Sequence, residues 1–182
     1  MILKINFTIF LLALACFSFG QNRVMDFGLE IQVYPTGLIP GLRFEKSFTK
    51  RDLYTARIGY QIIDHGSKGE HDSEKGSGFG GTLGYKHYFT KYFVGPSLGA
   101  RTDYWRNSID WETQTDTGVR AGNSEVQVIQ PTVEFGWGFS IGENFVITPS
   151  AAFGFEINIK TVGEGTGEGL IMLAGVTAAY RF

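Results

Sequence analysis

The residues of this chain able to do chemistry are few, and their spacing does not assemble a site. Three histidines occur, His65, His71 and His87. The first two stand among Asp64, Glu70, Asp72 and Glu74 in a glycine-containing stretch, and imidazoles among carboxylates suit a divalent ion. The spacing matches no defined metal motif, so the cluster is read as a charged loop and no metal site is assigned. His87 has Tyr88 and Phe89 beside it and no His-x-Ser pattern, which leaves it without the nucleophile that acyl-transfer chemistry requires. Gly163-Glu164-Gly165-Thr166-Gly167-Glu168-Gly169 has the glycine density of a phosphate-cradling loop. It lacks the closing Lys-Ser/Thr, and its two glutamates would repel phosphate. No catalytic residue and no cofactor is assigned.

Composition narrows the classes further. The chain has 182 residues, 43% of them hydrophobic, with 25 Gly, 16 Phe and one Cys, which excludes a collagen, a disulfide-stapled miniprotein and a low-complexity tail. Its 16 basic and 18 acidic residues are scattered, for a net charge of −2, so the electrostatic footprint of a nucleic-acid partner is missing. Residues 1–20 read as a signal peptide: Lys4, an apolar run from Ile5 to Phe17, then Ser18-Phe19-Gly20 with small residues at the cleavage positions. Cys16 would be a lipoprotein acceptor only with a different pair of residues at Ala13 and Leu14. Cleavage before Gln21 removes the only thiol and leaves 21–182 as one domain.

The mature chain alternates with period two from end to end, the signature of strands. Eight runs are expected: 25–33, 42–48, 54–62, 79–89, 92–104, 129–140, 145–159 and 170–182. In the last, Leu170, Met172, Ala174, Val176, Ala178, Tyr180 and Phe182 oppose Gly175, Thr177, Ala179 and Arg181. Links at Thr49-Lys50-Arg51, Thr90-Lys91 and Gly142-Glu143-Asn144 have hairpin length. The other links are 35–40 and three long loops at 65–77, 112–123 and 163–169.

An even strand number, short turns at one end with both termini, and long loops at the other describe an antiparallel up-and-down transmembrane β-barrel. Glycine decides which face points out. Gly28, Gly41, Gly59, Gly80, Gly84, Gly95, Gly99, Gly136, Gly138, Gly154 and Gly175 share the polar parity, where a crowded lumen needs small residues and a water-exposed strand face does not. The barrel is therefore expected to be apolar outside and polar and Gly-rich inside. Phe48, Tyr54, Phe89, Tyr92, Phe139, Phe145, Tyr180 and Phe182 form one aromatic belt, and Tyr34, Tyr60, Phe79, Tyr104 and Trp111 the other. Lys46 and His87 break the apolar parity close to short turns, within reach of headgroups. Pro96, Pro131 and Pro149 lack an amide donor inside a sheet without edges, so bulges are expected there.

The inward parity carries Asp26, Glu30, Glu45, Asp103, Glu134 and Glu156 against Arg43, Arg57, Lys86, Arg101, Lys160 and Arg181. Six acids against six bases in a narrow lumen imply ion pairs, since isolated charges there would be prohibitive. Arg43, Glu45, Arg57, Arg101 and Glu134 fall near mid-height, so the lumen is expected to be plugged. The rival on the same residues is a narrow polar passage.

In this architecture, and in Val176, Ala178, Tyr180 and the terminal aromatic Phe182, the chain resembles the small eight-stranded outer-membrane barrels of the OmpA and OmpX type over residues 21–182. The resemblance implies that the C-terminal series is the signal read by the barrel-assembly machinery. It also implies outer-membrane lipid and lipopolysaccharide as surroundings, a Gram-negative envelope, and periplasmic termini. The absence of a further domain after Phe182 is expected to favour the stand-alone OmpX-like type. Barrels of this class serve as anchors, adhesins or small enzymes, so fold does not fix activity. The expected role is non-enzymatic, structural or surface-interacting, with a protein or glycan partner at the long loops, where Trp105 and Trp111 flank Asn107, Asp110, Glu112 and Asp116. The alternatives are a lipid-modifying enzyme, a subunit of a larger outer-membrane complex and a soluble lipocalin-like carrier. N-terminal sequencing of the exported protein is expected to begin at Gln21; a sequence retaining Lys4 or Cys16 contradicts the cleavage assignment.

Overall fold

Residues that alternate in size and polarity over such lengths satisfy their backbones by pairing with neighbours, and here every strand finds two. The computed structural model describes residues 24–66, 70–90 and 93–182, so the expected signal peptide at 1–20 lies outside the described residues. These form β1 (Met25–Tyr34), β2 (Gly37–Ser47), β3 (Asp52–Gly66), β4 (Ser73–Tyr88), β5 (Gly95–Thr115), β6 (Gly118–Ile141), β7 (Phe145–Val162) and β8 (Gly169–Arg181). Each pairs antiparallel with the next, and β1 pairs with β8 to close the barrel. At the turn end the start of β1 is tied to the residue after β8, Phe182 N donating to Met25 O at 2.9 Å. The β2–β3 turn is held by Thr49 Oγ1, which accepts from Arg51 N at 3.1 Å and Asp52 N at 2.9 Å.

Two of the expected long loops are ladder instead. The β3–β4 pairing runs up to Gly66↔Ser73. The β5–β6 pairing runs to Thr115↔Gly118, across a two-residue turn at Asp116-Thr117. These segments are polar on both faces, so hydropathy alternation does not reveal them, yet Trp111, Thr113, Thr115 and Val119 are good strand formers and the turn sets their register. The 35–40 link likewise contracts to Pro35-Thr36, with Pro40 inside β2. A spanning strand needs about 9 to 11 residues. β5 has 21 and β6 has 24, so this pair rises well beyond any membrane as a tall hairpin.

At the opposite end the β4–β5 connection is longer than expected, β5 starting at Gly95 rather than near Tyr92. Lys91 and Tyr92 lie outside the described residues. Phe93 takes a left-handed backbone, φ 56°, and points its ring inward. It meets Tyr88 edge-on at 5.6 Å and joins Leu53 in a buried cluster that floors the lumen.

Prolines do not produce the expected bulges. Pro96, Pro131 and Pro149 sit opposite Trp137, Thr102 and Val176 in continuous register. The β6–β7 register is the same on both sides of Pro131 and Pro149, from Ile129↔Ile157 to Ile141↔Phe145. The bulge lies elsewhere, between Gln127↔Lys160 and Val128↔Asn158, where Ile159 is the extra residue. One extra residue inverts the parity above it. Lys160, expected inside, therefore faces outward and is exposed.

The outer face is apolar: Leu83 is 72% exposed, and Phe135, Trp137, Phe153 and Phe155 are each about half exposed. Arg57 and Glu134 are 3% and 2% exposed, so the polar parity is the interior. Tyr60, Phe79 and Tyr104 point outward as the upper belt requires, but Tyr34 and Trp111 are buried inside. Leu83 stands beside Thr82, which faces Arg57 at mid-barrel, on a surface that meets hydrocarbon if the barrel spans a bilayer. Leu83→Arg is expected to destabilise the protein in lipid vesicles by about 2–4 kcal/mol, whereas Val119→Arg on the tall hairpin leaves stability unchanged. Denaturant unfolding of both variants in vesicles checks this, and equal effects would contradict a membrane-facing Leu83.

Candidate functional site

Closure places every second side chain in one narrow tube, and the charges among them assemble in a single layer. Arg43 of β2 donates through Nη1 to Glu30 Oε1 at 2.9 Å, through Nε to Glu45 Oε1 at 3.0 Å and through Nη2 to Glu134 Oε1 at 3.0 Å. Lys86 Nζ of β4 lies 3.0 Å from both Glu45 Oε1 and Glu134 Oε1. Arg101 of β5 donates from Nη1 to Glu134 Oε2 at 2.8 Å and from Nη2 to Gln32 Oε1 at 3.1 Å. Arg57 of β3 donates from Nη2 to Asp103 Oδ1 at 2.8 Å, and its Nη1 lies 3.5 Å from Glu30 Oε2. Thr82 Oγ1 accepts from Arg57 Nε at 2.9 Å and itself donates to Asp103.

Four bases and four acids thus neutralise one another, all of them buried. They come from β1 to β6 only. The facing positions of β7 and β8 carry Ala152, Gly154, Gly175 and Thr177, and these small residues leave room for the long cationic side chains to cross the lumen. Charges this deeply buried are tolerable only when each is paired and its remaining hydrogen-bonding capacity is used. Gln32, Thr55, Thr82 and Thr132 supply the neutral bonds.

Above this layer the interior turns apolar, which reading by residue charge alone did not anticipate. Trp105 is fully buried and clusters with Ile39, Ile63, Ile109, Val126, Val128, Ile171 and Leu173. Its Nε1 donates to Gln130 Oε1 at 2.9 Å, and Arg57 lies over its ring at 5.5 Å. Glycine makes the space: a β-carbon on Gly80 would sit 2.5 Å from Trp105 Cε3. At the loop end, His71 stacks on Trp111 at 4.3 Å and bonds Thr113 Oγ1 at 3.0 Å and Gly165 O at 3.1 Å. The loop-end segment and the tall hairpin are thereby pinned across the barrel top.

Of the residues singled out in the sequence, Glu30, Arg43, Glu45, Arg57, Lys86, Arg101, Asp103 and Glu134 meet in the ionic layer. Arg181 does not join them. It pairs at the turn-end rim with Asp26, Nε to Oδ1 at 2.8 Å and Nη2 to Oδ2 at 2.6 Å. Glu156 also stands apart, near the loop end, where it accepts from Gln130 Nε2 at 2.5 Å. Val176, Ala178, Tyr180 and Phe182 lie on the outer face at the closing seam, with Tyr180 between the rings of Phe145 and Phe182 at 5.3 and 4.9 Å. His65 and His71, expected in a charged loop, are buried. His65 is on the inward parity of β3, its Nε2 3.2 Å from Glu74 Oε2. His87 is outside, its Nδ1 2.6 Å from Asp52 Oδ1, which also accepts from Tyr85 Oη at 2.6 Å. Parity alone would have located Leu53, Tyr88 and Trp105 in the lumen, because each continues the inward series of its strand; their size and apolarity argued the other way.

Glu134 contacts three cations, Arg43, Lys86 and Arg101, so removing it leaves three buried cations short of a partner. Glu134→Ala is expected to cost about 3–5 kcal/mol, and Glu134→Gln less because the amide retains hydrogen bonding. Denaturant unfolding of the refolded barrel measures both, and a neutral Glu134→Ala would show that the layer is not held as described.

No family model matches the chain, and no curated protein does. Solved structures do. A major outer membrane protein of Thermus thermophilus superposes with a TM-score of 0.58 at 11% identity, covering 89% of this chain and 100% of that one. The N-terminal β-barrel domain of Pseudomonas aeruginosa OprF gives 0.51 at 15% identity, covering 90% and 100%. At such identities the likeness is one of fold, and in fold this chain is a small eight-stranded β-barrel of the outer-membrane type.

Proposed function

We propose that this protein is an integral, non-enzymatic component of the bacterial outer membrane, a closed barrel that anchors and displays its loop-end surface. The observation that carries the reading is the filled lumen: eight mutually paired charges across the tube, between the Leu53–Tyr88–Phe93 floor and the Trp105 cluster. A conduit needs a continuous watery path, and a carrier needs a vacant core; this interior is built for rigidity. The apolar outer face supports a membrane-embedded position, with lipid around the girth and lipopolysaccharide against the outer belt. On this reading the termini and short turns face the periplasm, the barrel-assembly machinery recognises the Val176–Phe182 series, and the β5–β6 hairpin stands above the surface for a protein or glycan partner.

The non-enzymatic reading is supported by the histidines. His65 is tied to Glu74, His71 is stacked against Trp111, and His87 is bonded to Asp52 on the opposite end and face. They occupy three separate places and share no substrate position.

Purified protein in planar bilayers is expected to give no steady conductance, while the folded form migrates differently from the boiled form on an SDS gel and fractionates with outer membrane. A stable conductance of porin size would overturn the closed lumen, and recovery in the soluble fraction would overturn the location.

A further inference from the structure

The lumen is not filled to its top. At the loop end a cavity of about 160 Å³ opens between Pro35-Thr36 and the 166–171 segment. We infer that this cavity is a binding site for a small primary ammonium compound with a short apolar body. A cavity of about this size has room for a ligand of roughly six heavy atoms. Its walls divide by chemistry. Ile63, Ile109 and Ile171 supply an apolar side, while Glu74, Glu156 and Glu168 supply three carboxylates, and His65 is the only basic residue lining it among the described residues.

The polar side is left incomplete. Glu74 is 3% exposed and engages His65 through Oε2 alone. Among the described residues Glu74 Oε1, His65 Nδ1 and Asn107 Oδ1 are buried with no hydrogen-bond partner. Native interiors rarely leave such groups unpaired, and with Tyr34 Oη and Gln61 Oε1 five of them line this one cavity, four of them acceptors that call for an external donor. An ammonium head brings three N–H donors and the positive charge that the carboxylates lack. A neutral alcohol brings one donor and no charge, and a quaternary ammonium brings charge without donors. Among the described residues no group of three His, Cys, Asp or Glu is arranged to hold a metal ion, and the apolar wall matches an alkyl chain rather than a hydration shell.

The test is a chemical-shift titration of the full chain folded in lipid nanodiscs, with n-butylammonium chloride as the probe. Saturable shifts confined to the loop-end lumen are expected, with a dissociation constant of about millimolar order that weakens about tenfold in Glu74→Gln. n-Butanol and tetramethylammonium are expected to give no saturable shifts. Should Glu74→Gln fail to show the heat-modifiable band of a folded barrel, Glu156→Gln is read the same way. The assignment is overturned if n-butylammonium gives no saturable shifts, if n-butanol binds equally, if the folded variant binds as tightly as the parent, or if calcium chloride produces the shifts and the amine does not.

Discussion

Ring closure between β1 and β8 is the constraint from which the rest of the molecule follows. A sheet closed with eight strands has no edge, so each strand finds backbone partners in its two neighbours and the structure can stand in a medium without water. It also leaves a tube barely wider than its own side chains. Every second residue is therefore forced into a crowded interior whatever its chemistry, and the alternate residues are forced outward. Arg43, Arg57, Lys86 and Arg101 are inside because their parity puts them there, and Glu30, Glu45, Asp103 and Glu134 make that placement tolerable.

The interior solves two problems in separate layers. At mid-height, long cationic side chains from one half of the wall reach across toward glycines, alanine and threonine on the other, so that charge pairing and steric filling are achieved by the same atoms. On either side of that layer, rings close the tube: Tyr88 and Phe93 at the turn end, Trp105 toward the loop end. Arg57 joins the two regimes, ion-paired to Asp103 on one side and lying over the Trp105 indole on the other. Above Trp105 the packing gives way to the mouth, where His71 and Trp111 brace the hairpin and the buried polar atoms near Glu74 go unpaired. Unpaired polar atoms occur in the ionic layer too, at Glu30 Oε2 and Asp103 Oδ2, but at the mouth they stand beside a cavity.

The stretches where hydropathy misreads the chain share a physical cause. Alternation reports a difference in polarity between two faces, and it fades where the residues on both faces are polar. Residues 65–66, 73–77, 112–115 and 118–123 therefore read as loop although their backbones continue the ladder, held by strand propensity and by the two-residue turn at Asp116-Thr117. The bulge at Ile159 is invisible for another reason: one extra residue changes no composition, yet it turns Lys160 out of the lumen. Prolines drew attention because a missing donor is obvious in a sequence, but the sheet absorbed them without a change of register.

Period-two alternation, glycine on the polar parity, hairpin-length links and balanced inward charges are enough to determine eight strands, their order and the outward face, and they put Arg43, Glu45, Arg57, Arg101 and Glu134 near mid-height. These are consequences of local backbone geometry, which a sequence carries in full. Who touches whom inside the tube was decided only by tertiary structure, because strand stagger and closure bring together residues far apart in the chain, such as Arg43 and Glu134. The same closure gathered Glu74, His65, Asn107 and Glu156 from four strands around one mouth, a juxtaposition that no spacing along the chain encodes.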